Sequence, residues 1–148
     1  MLSIDVDGID YFIWESLREF QPKLVVIEFN PTIPNDVMFI QAKDSSIKQG
    51  CSLLALTHLA AAKGYKLVCC TVCNAFFVRQ EFFNQLGIPS DFIYYLYRPV
   101  LDGRIFQGQD STIYVTGMEK LLWLNIPLSS DDFQVIPSSM RRFPDTKE

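Results

Sequence analysis

Leu2-Ser3-Ile4-Asp5-Val6-Asp7-Gly8 decides how the chain is read: an apolar β-type run that leaves in two acids and a glycine, with only Met1 ahead of it. A second run, Leu24-Val25-Val26-Ile27-Glu28-Phe29-Asn30, has the same form and also closes on an acid. Between them Ile9, Phe12, Ile13, Leu17 and Phe20 recur at spacings of three and four, which predicts a helix from about Ile9 to Phe20. Asp7 or Gly8 is placed to cap its start, and Pro22, which lacks an N–H and restricts Gln21, ends it. Strand, helix and strand with so short a crossover imply parallel pairing in a right-handed unit. The nearly unbroken apolar run from Lys23 to Phe29 predicts a strand covered on both faces.

Working outward, Asn30-Pro31-Thr32-Ile33-Pro34-Asn35-Asp36 punctuates the chain. The polar stretch Ala42 to Gly50 reads as a loop over the C-terminal edge of the sheet, either a functional lid or an ordinary long connection. Ser52 to Lys63 reads as a helix stopped by Gly64, with His58 on its surface or flank. Tyr65 to Thr71 and Ala75 to Val78 are strands whose short turn near Cys73-Asn74 demands antiparallel pairing. Beyond Arg79 the pattern weakens: Glu81 to Leu86 suggests a helical turn, Ser111 to Val115 a short strand, and Pro127 to Pro144 irregular chain. The expected organisation is one α/β domain over residues 1–86, with an aromatic-rich tail, residues 87–148, packed on it.

A chain of 148 residues that is 49% hydrophobic and 14% aromatic is long and apolar enough to bury a core. Its net charge is −4, and Lys and Arg are scattered singly except at Arg141-Arg142. That distribution argues against the basic stripe of a nucleic-acid binder. No apolar run reaches the roughly 18 residues that cross a bilayer, and Met1-Leu2-Ser3-Ile4-Asp5 lacks the basic start of a signal peptide. The expectation is a cytoplasmic protein with neither nucleic acid nor membrane as partner. Cys69, Cys70 and Cys73 lie in or beside an apolar stretch and are expected to be reduced thiols in the core. Cys70-Thr71-Val72-Cys73 has metal-knuckle spacing, but a structural zinc needs four ligands and few candidates remain.

Asp5 and Asp7 at one strand exit, with Glu28 and Asn30 at the end of its neighbour, lie where open α/β sheets place their chemistry. Hard oxygen ligands of this kind suit Mg²⁺ or Ca²⁺. The plainer alternative is that Asp7 caps the following helix, Asn30 caps a turn, and Asp5 is satisfied by backbone amides.

Leu2-Ser3-Ile4-Asp5-Val6-Asp7-Gly8-Ile9-Asp10-Tyr11, Val26-Ile27-Glu28-Phe29-Asn30, Lys63-Gly64-Tyr65-Lys66-Leu67-Val68 and Asn74-Ala75-Phe76-Phe77-Val78 together resemble FkbM-like S-adenosylmethionine-dependent methyltransferases. The resemblance covers roughly Leu2 to Arg79 and corresponds to the fourth through seventh strands of that family. It implies a partial Rossmann-like methyltransferase sheet: parallel strands plus a C-terminal antiparallel hairpin, in the order 4-5-7-6 of the family's count, with helices on its faces and an irregular tail. It also implies S-adenosylmethionine as cofactor, bordered by Asp5, Asp7 and Gly8. Asp5 and Asp7 would be the catalytic pair, acting by electrostatic positioning, because methyl transfer needs alignment more than a strong acid or base. Glu28 and Asn30 would face the substrate, a small molecule or a protein. Some methyltransferases orient a hydroxyl substrate with a metal held by acid and amide ligands at these strand ends, and Asp5, Glu28 and Asn30 resemble that set.

The family's glycine-rich loop after the first strand and its acid after the second have no counterpart, and no Gly-x-Gly occurs in the chain. Without those strands, Leu2 to Val6 is expected to form an apolar sheet edge that pairs with a second copy or another chain. The alternative from a different class is a non-catalytic interaction module, or a fragment of a longer protein. Asp5-Val6-Asp7-Gly8 further resembles the first motif of haloacid-dehalogenase-type phosphatases, whose two acids act as nucleophile and as acid and base. That family closes its next core strand on Ser or Thr and places an acidic pair after another apolar strand. Here Glu28 closes the strand, and Asp131-Asp132 follows Pro127-Leu128-Ser129-Ser130.

Overall fold

Leu2–Ile4 (β1) pairs in parallel with Leu24–Glu28 (β2), in a register that sets Ile4 beside Ile27 and so brings the two acidic exits to the same edge. The structure is a computed structural model that describes residues 1–99 and 101–143. Pro144 and residues 145–148, the end of the expected tail, lie outside the described residues. Between β1 and β2 runs a helix, Asp10–Ser16 (α1). Beyond β2 come the helix Leu53–Ala62 (α2) and the strands Tyr65–Cys70 (β3) and Asn74–Arg79 (β4). Gln80–Phe83 (α3), a 3-10 turn at Asn84–Leu86 and Ile93–Leu96 (α4) follow.

The four strands form one mixed sheet in the order β1-β2-β4-β3, with β2 and β4 antiparallel and β3 and β4 closing the hairpin. The chain is therefore a mixed α/β protein whose parallel pair and terminal hairpin follow the sequence expectation. β1 lies at an end of the sheet and has β2 alone as strand partner among the described residues. No described helix is long and apolar enough to cross a membrane.

One face of the sheet carries the core. Val25, Ile27, Ala75 and Phe77 have no measurable exposure, and Leu67 is almost as deep. Trp14 of α1 packs across this face against Phe77 and Tyr65, with ring centroids 5.0 and 5.6 Å away. Leu53, Leu56, Leu59 and Ala60 of α2 belong to the same cluster. The burial of β2 alternates, with Val25 and Ile27 buried and Leu24, Val26 and Glu28 only partly covered. β2, expected to be covered on both faces, is fully buried on one and partly covered on the other, its successive side chains alternating between them.

Both ends of α1 differ from the sequence expectation for identifiable reasons. α1 ends at Ser16, because Leu17 adopts an extended conformation, so the helix is shorter than Ile9 to Phe20. Its start is capped by neither Asp7 nor Gly8: Ile9 occupies the cap position and contributes no side-chain hydrogen bond. α2 begins as expected, with the Ser52 hydroxyl accepting the Ala55 amide, and Gly64 at φ +79° ends it in the left-handed conformation that glycine adopts without strain. His58 is exposed. The cysteine expectation is corrected as well. Cys69 is exposed and Cys70 half-buried where a register irregularity between Leu67 and Cys69 interrupts the alternation of β3; Cys73 is half-buried in the turn beyond it, and Cys51 is the core thiol.

Contacts divide the chain into two units, Met1–Val100 and Leu101–Glu148. Residues beyond 86 contribute to the first unit's core, since Ile93 and Tyr97 are buried there and Tyr97 meets Phe29 edge-on at 5.0 Å. The second unit holds an antiparallel hairpin, Arg104–Gln107 (β5) with Ile113–Thr116 (β6), and 3-10 turns at Ser130–Phe133 and Ser138–Met140. β6 matches the short strand read at Ser111 to Val115, whereas β5 carried no clear signal. No described residue of this unit is buried.

Candidate functional site

The exit of β1 is shaped by a residue that had no assigned role, Asp10. Its carboxylate, only 2% exposed, accepts the Val6 amide and the Gly8 amide, each at 2.9 Å. These bonds fold Asp5-Val6-Asp7-Gly8 back over the start of α1 and turn Asp5 and Asp7 outward to solvent. Asp7 takes a left-handed φ of +56°, uncommon for a residue with a Cβ. Gly8, at φ +151°, passes so close to the following loop that a Cβ on it would stand 2.6 Å from the Ile47 carbonyl oxygen. Only glycine fits there.

That loop, residues 42–50, is organised from inside by the buried Gln41 side chain. Gln41 donates to the carbonyls of Asp44 and Ile47 at 3.1 and 3.0 Å. It accepts the amides of Gln49 and Gly50 at 2.9 and 2.7 Å. Lys48 reaches back to the Val6 carbonyl at 3.4 Å, and the Asn30 amide donates to the Gln49 carbonyl at 3.0 Å. The segment read as a cover for the C-terminal edge lies against the exits of both parallel strands and is pinned to them.

Asp5, Asp7 and Glu28 converge between these elements, with a carboxylate oxygen from each within 4.8 Å of the others. Burial and the surrounding negative charges of Asp5, Asp10 and Asp7 push the Glu28 carboxyl up from 4.5 to about 7, against a smaller opposing pull from the Asp7 amide. Near neutral pH Glu28 thus keeps, part of the time, a proton that an isolated carboxyl would have lost. Gly8, read as cofactor-binding, is buried beneath the loop. Asn30, read together with Asp5 and Glu28 as a metal ligand, has its side-chain oxygen occupied by the Thr32 amide and hydroxyl at 3.0 and 2.7 Å. It caps the turn after β2, and Asp7 takes its place beside Asp5 and Glu28.

Oxygens on opposite sides of a Ca²⁺ ion stand about 4.6–5.2 Å apart, and on Mg²⁺ about 4.0–4.2 Å. Three oxygens within 4.8 Å of one another can stand on neighbouring positions of either ion. A cation would also relieve the crowding that holds a proton on Glu28.

Comparison with family models, curated proteins and solved structures gives a single result. Nothing matches this chain. The arrangement of side chains is therefore what any functional reading rests on.

The acidic pair Asp131-Asp132 lies in the second unit, in a 3-10 turn where Ser129 and Asp132 cap each other. Asp10 and Gln41 were missed by sequence reading. For Asp10 a signal existed, an acid two residues beyond the glycine and inside the first helical turn, placed to bond backward to exposed amides. An isolated Gln in a polar stretch gave none for Gln41.

Proposed function

We propose that the chain is an S-adenosylmethionine-dependent methyltransferase-like α/β protein whose acidic edge, Asp5, Asp7 and Glu28, borders the cofactor and its substrate. The observation that carries this reading is the convergence of those carboxylates at the carboxyl ends of a parallel strand pair, where α/β sheets bind ligands. The strand order β1-β2-β4-β3 supports it, being the 4-5-7-6 arrangement that the resemblance implies. This support is analogy of fold, and fold alone does not fix chemistry. Asp5 and Asp7 would position charge, with Glu28 opposite them toward the methyl acceptor. A divalent cation, Mg²⁺ or Ca²⁺, would be held by Asp5, Asp7 and Glu28 and would orient a hydroxyl-bearing substrate.

Calorimetric titration tests both parts. S-adenosylmethionine should bind with a dissociation constant on the order of micromolar, and Ca²⁺ should give heat with the wild type and little with Asp5→Asn. No heat with S-adenosylmethionine retires the methyltransferase reading, and no heat with either cation retires the metal.

A second reading, a non-catalytic α/β interaction module, is favoured by the absence of any Gly-x-Gly in the 148 residues. Retention of a folded partner protein without S-adenosylmethionine binding would select it.

A further inference from the structure

At the opposite end of the sheet, where β2 and β3 begin and α1 and α2 end, a cleft of about 240 Å³ opens between the two helices. Trp14, Arg18 and Lys63 bring side-chain N–H donors to its lining. Trp14, 2% exposed, lines it, and the indole N–H makes no hydrogen bond among the described residues. Arg18 and Gln21 stand at the mouth, both exposed. Lys63 completes the set. Its ammonium donates to the Leu17 carbonyl at 2.6 Å, which fixes it at the cleft with two further N–H groups to give.

The charges are uneven. Neither Arg18 nor Lys63 forms an ion pair among the described residues. Desolvation and the neighbouring Arg18 charge both hold the Lys63 ammonium below its usual range, and Glu15 offsets them only in part. The carbonyl at the end of α1 is already taken by Lys63, and the end of α2 is closed by backbone bonds from Lys63 and Gly64. Phe20, 59% exposed, and Leu17 add an apolar wall.

We infer that this cleft binds a small organic anion, a carboxylate or phosphate ester, with its acidic head among Trp14, Arg18 and Lys63 and its flat apolar body against Phe20 and Leu17. At roughly 30 Å³ per water-sized group, the cleft of about 240 Å³ has room for about eight, close to the size of benzoate, with a larger acid extending past the open mouth. The site is independent of the acidic edge, so it stands or falls separately from the methyltransferase reading.

The test is an NMR titration of the whole chain that follows the indole N–H resonances, with Trp123→Phe assigning the Trp14 signal. Benzoate and phenyl phosphate should move that signal saturably, with dissociation constants on the order of 1 mM or tighter, while neutral benzamide leaves it in place. Arg18→Gln, at an exposed position, should weaken binding at least about tenfold, and Lys63→Gln should do the same. A Trp14 signal unmoved by either acid overturns the site, as does equal binding of benzamide or unchanged affinity in Arg18→Gln. Inorganic phosphate binding as tightly as phenyl phosphate overturns the apolar half of the assignment.

Discussion

The carboxylate of Asp10 accepts the amide of Gly8 at 2.9 Å, so a buried acid two residues downstream holds the turn that presents Asp5 and Asp7. A second amide, that of Val6, bonds to its other oxygen. The acidic edge is thus the outer surface of a turn built around a different acid.

Replacing Asp10 with Ala leaves two amides without their acceptor and should destabilise the first unit by about 2–4 kcal/mol. Asp10→Asn keeps one acceptor oxygen but points an NH₂ at a backbone donor, and should lose more than half as much. Urea unfolding followed by circular dichroism gives both values. Equal stability of wild type and Asp10→Ala would show that the turn holds without the carboxylate.

Gly8→Ala drives a methyl group toward the Ile47 carbonyl from a backbone conformation that only glycine adopts easily. The expected cost is about 1–3 kcal/mol. Gln41→Ala removes the four hydrogen bonds that shape residues 42–50, so the Gln49 and Gly50 amides should exchange with deuterium far faster than in the wild type. Unchanged exchange would mean that Gln41 follows the loop rather than forming it.

The pH dependence of stability has a definite sign at Glu28. Its pKa in the folded chain, about 7, lies above the ordinary 4.5, so between those values the folded state carries the extra proton. Stability therefore falls as pH rises through that window, and the penalty is complete above about 7. Glu28→Gln should flatten this slope and be more stable than wild type at pH 8. Urea midpoints for the two proteins between pH 5 and 8 measure it, and parallel curves would refute the assignment.

Thiol reactivity should follow the corrected burial of the cysteines. Cys69, exposed, should be the first to react with an aromatic disulfide reagent, whereas burial pushes Cys51 up to about 12 and makes it react only on unfolding. Cys70, also pushed up to about 12, should be slow. Mass spectrometry of a partly labelled sample gives the order, and early modification of Cys51 would contradict its placement.

The sheet was legible because its signals are local. Leu2–Ile4, Leu24–Glu28 and the Tyr65–Cys70 hairpin each carry a run of β-formers, and the crossover lengths dictate which pairs are parallel. The carboxylates were legible as strand-end acids, but their grouping was not. Whether Asn30 or Asp7 stands beside Glu28 depends on Thr32 drawing the Asn30 side chain into its own turn. The shortened α1 was hidden because Leu17 and Phe20 continue the apolar spacing after the backbone has left the helix. β5 was invisible for the opposite reason: all four of its residues are exposed, so burial wrote no alternation into them.

The strand order has a consequence for how the chain comes off the ribosome. β2 meets its parallel neighbour at once, but the strand that closes its other side ends about 50 residues later, at Arg79. At about 5–20 residues per second, that flank of Val25, Val26 and Ile27 stays open for several seconds in every round of synthesis. Through that interval the nascent polypeptide carries a sticky, half-finished ribbon, and its yield in a cell depends on what keeps neighbours off it until the hairpin arrives.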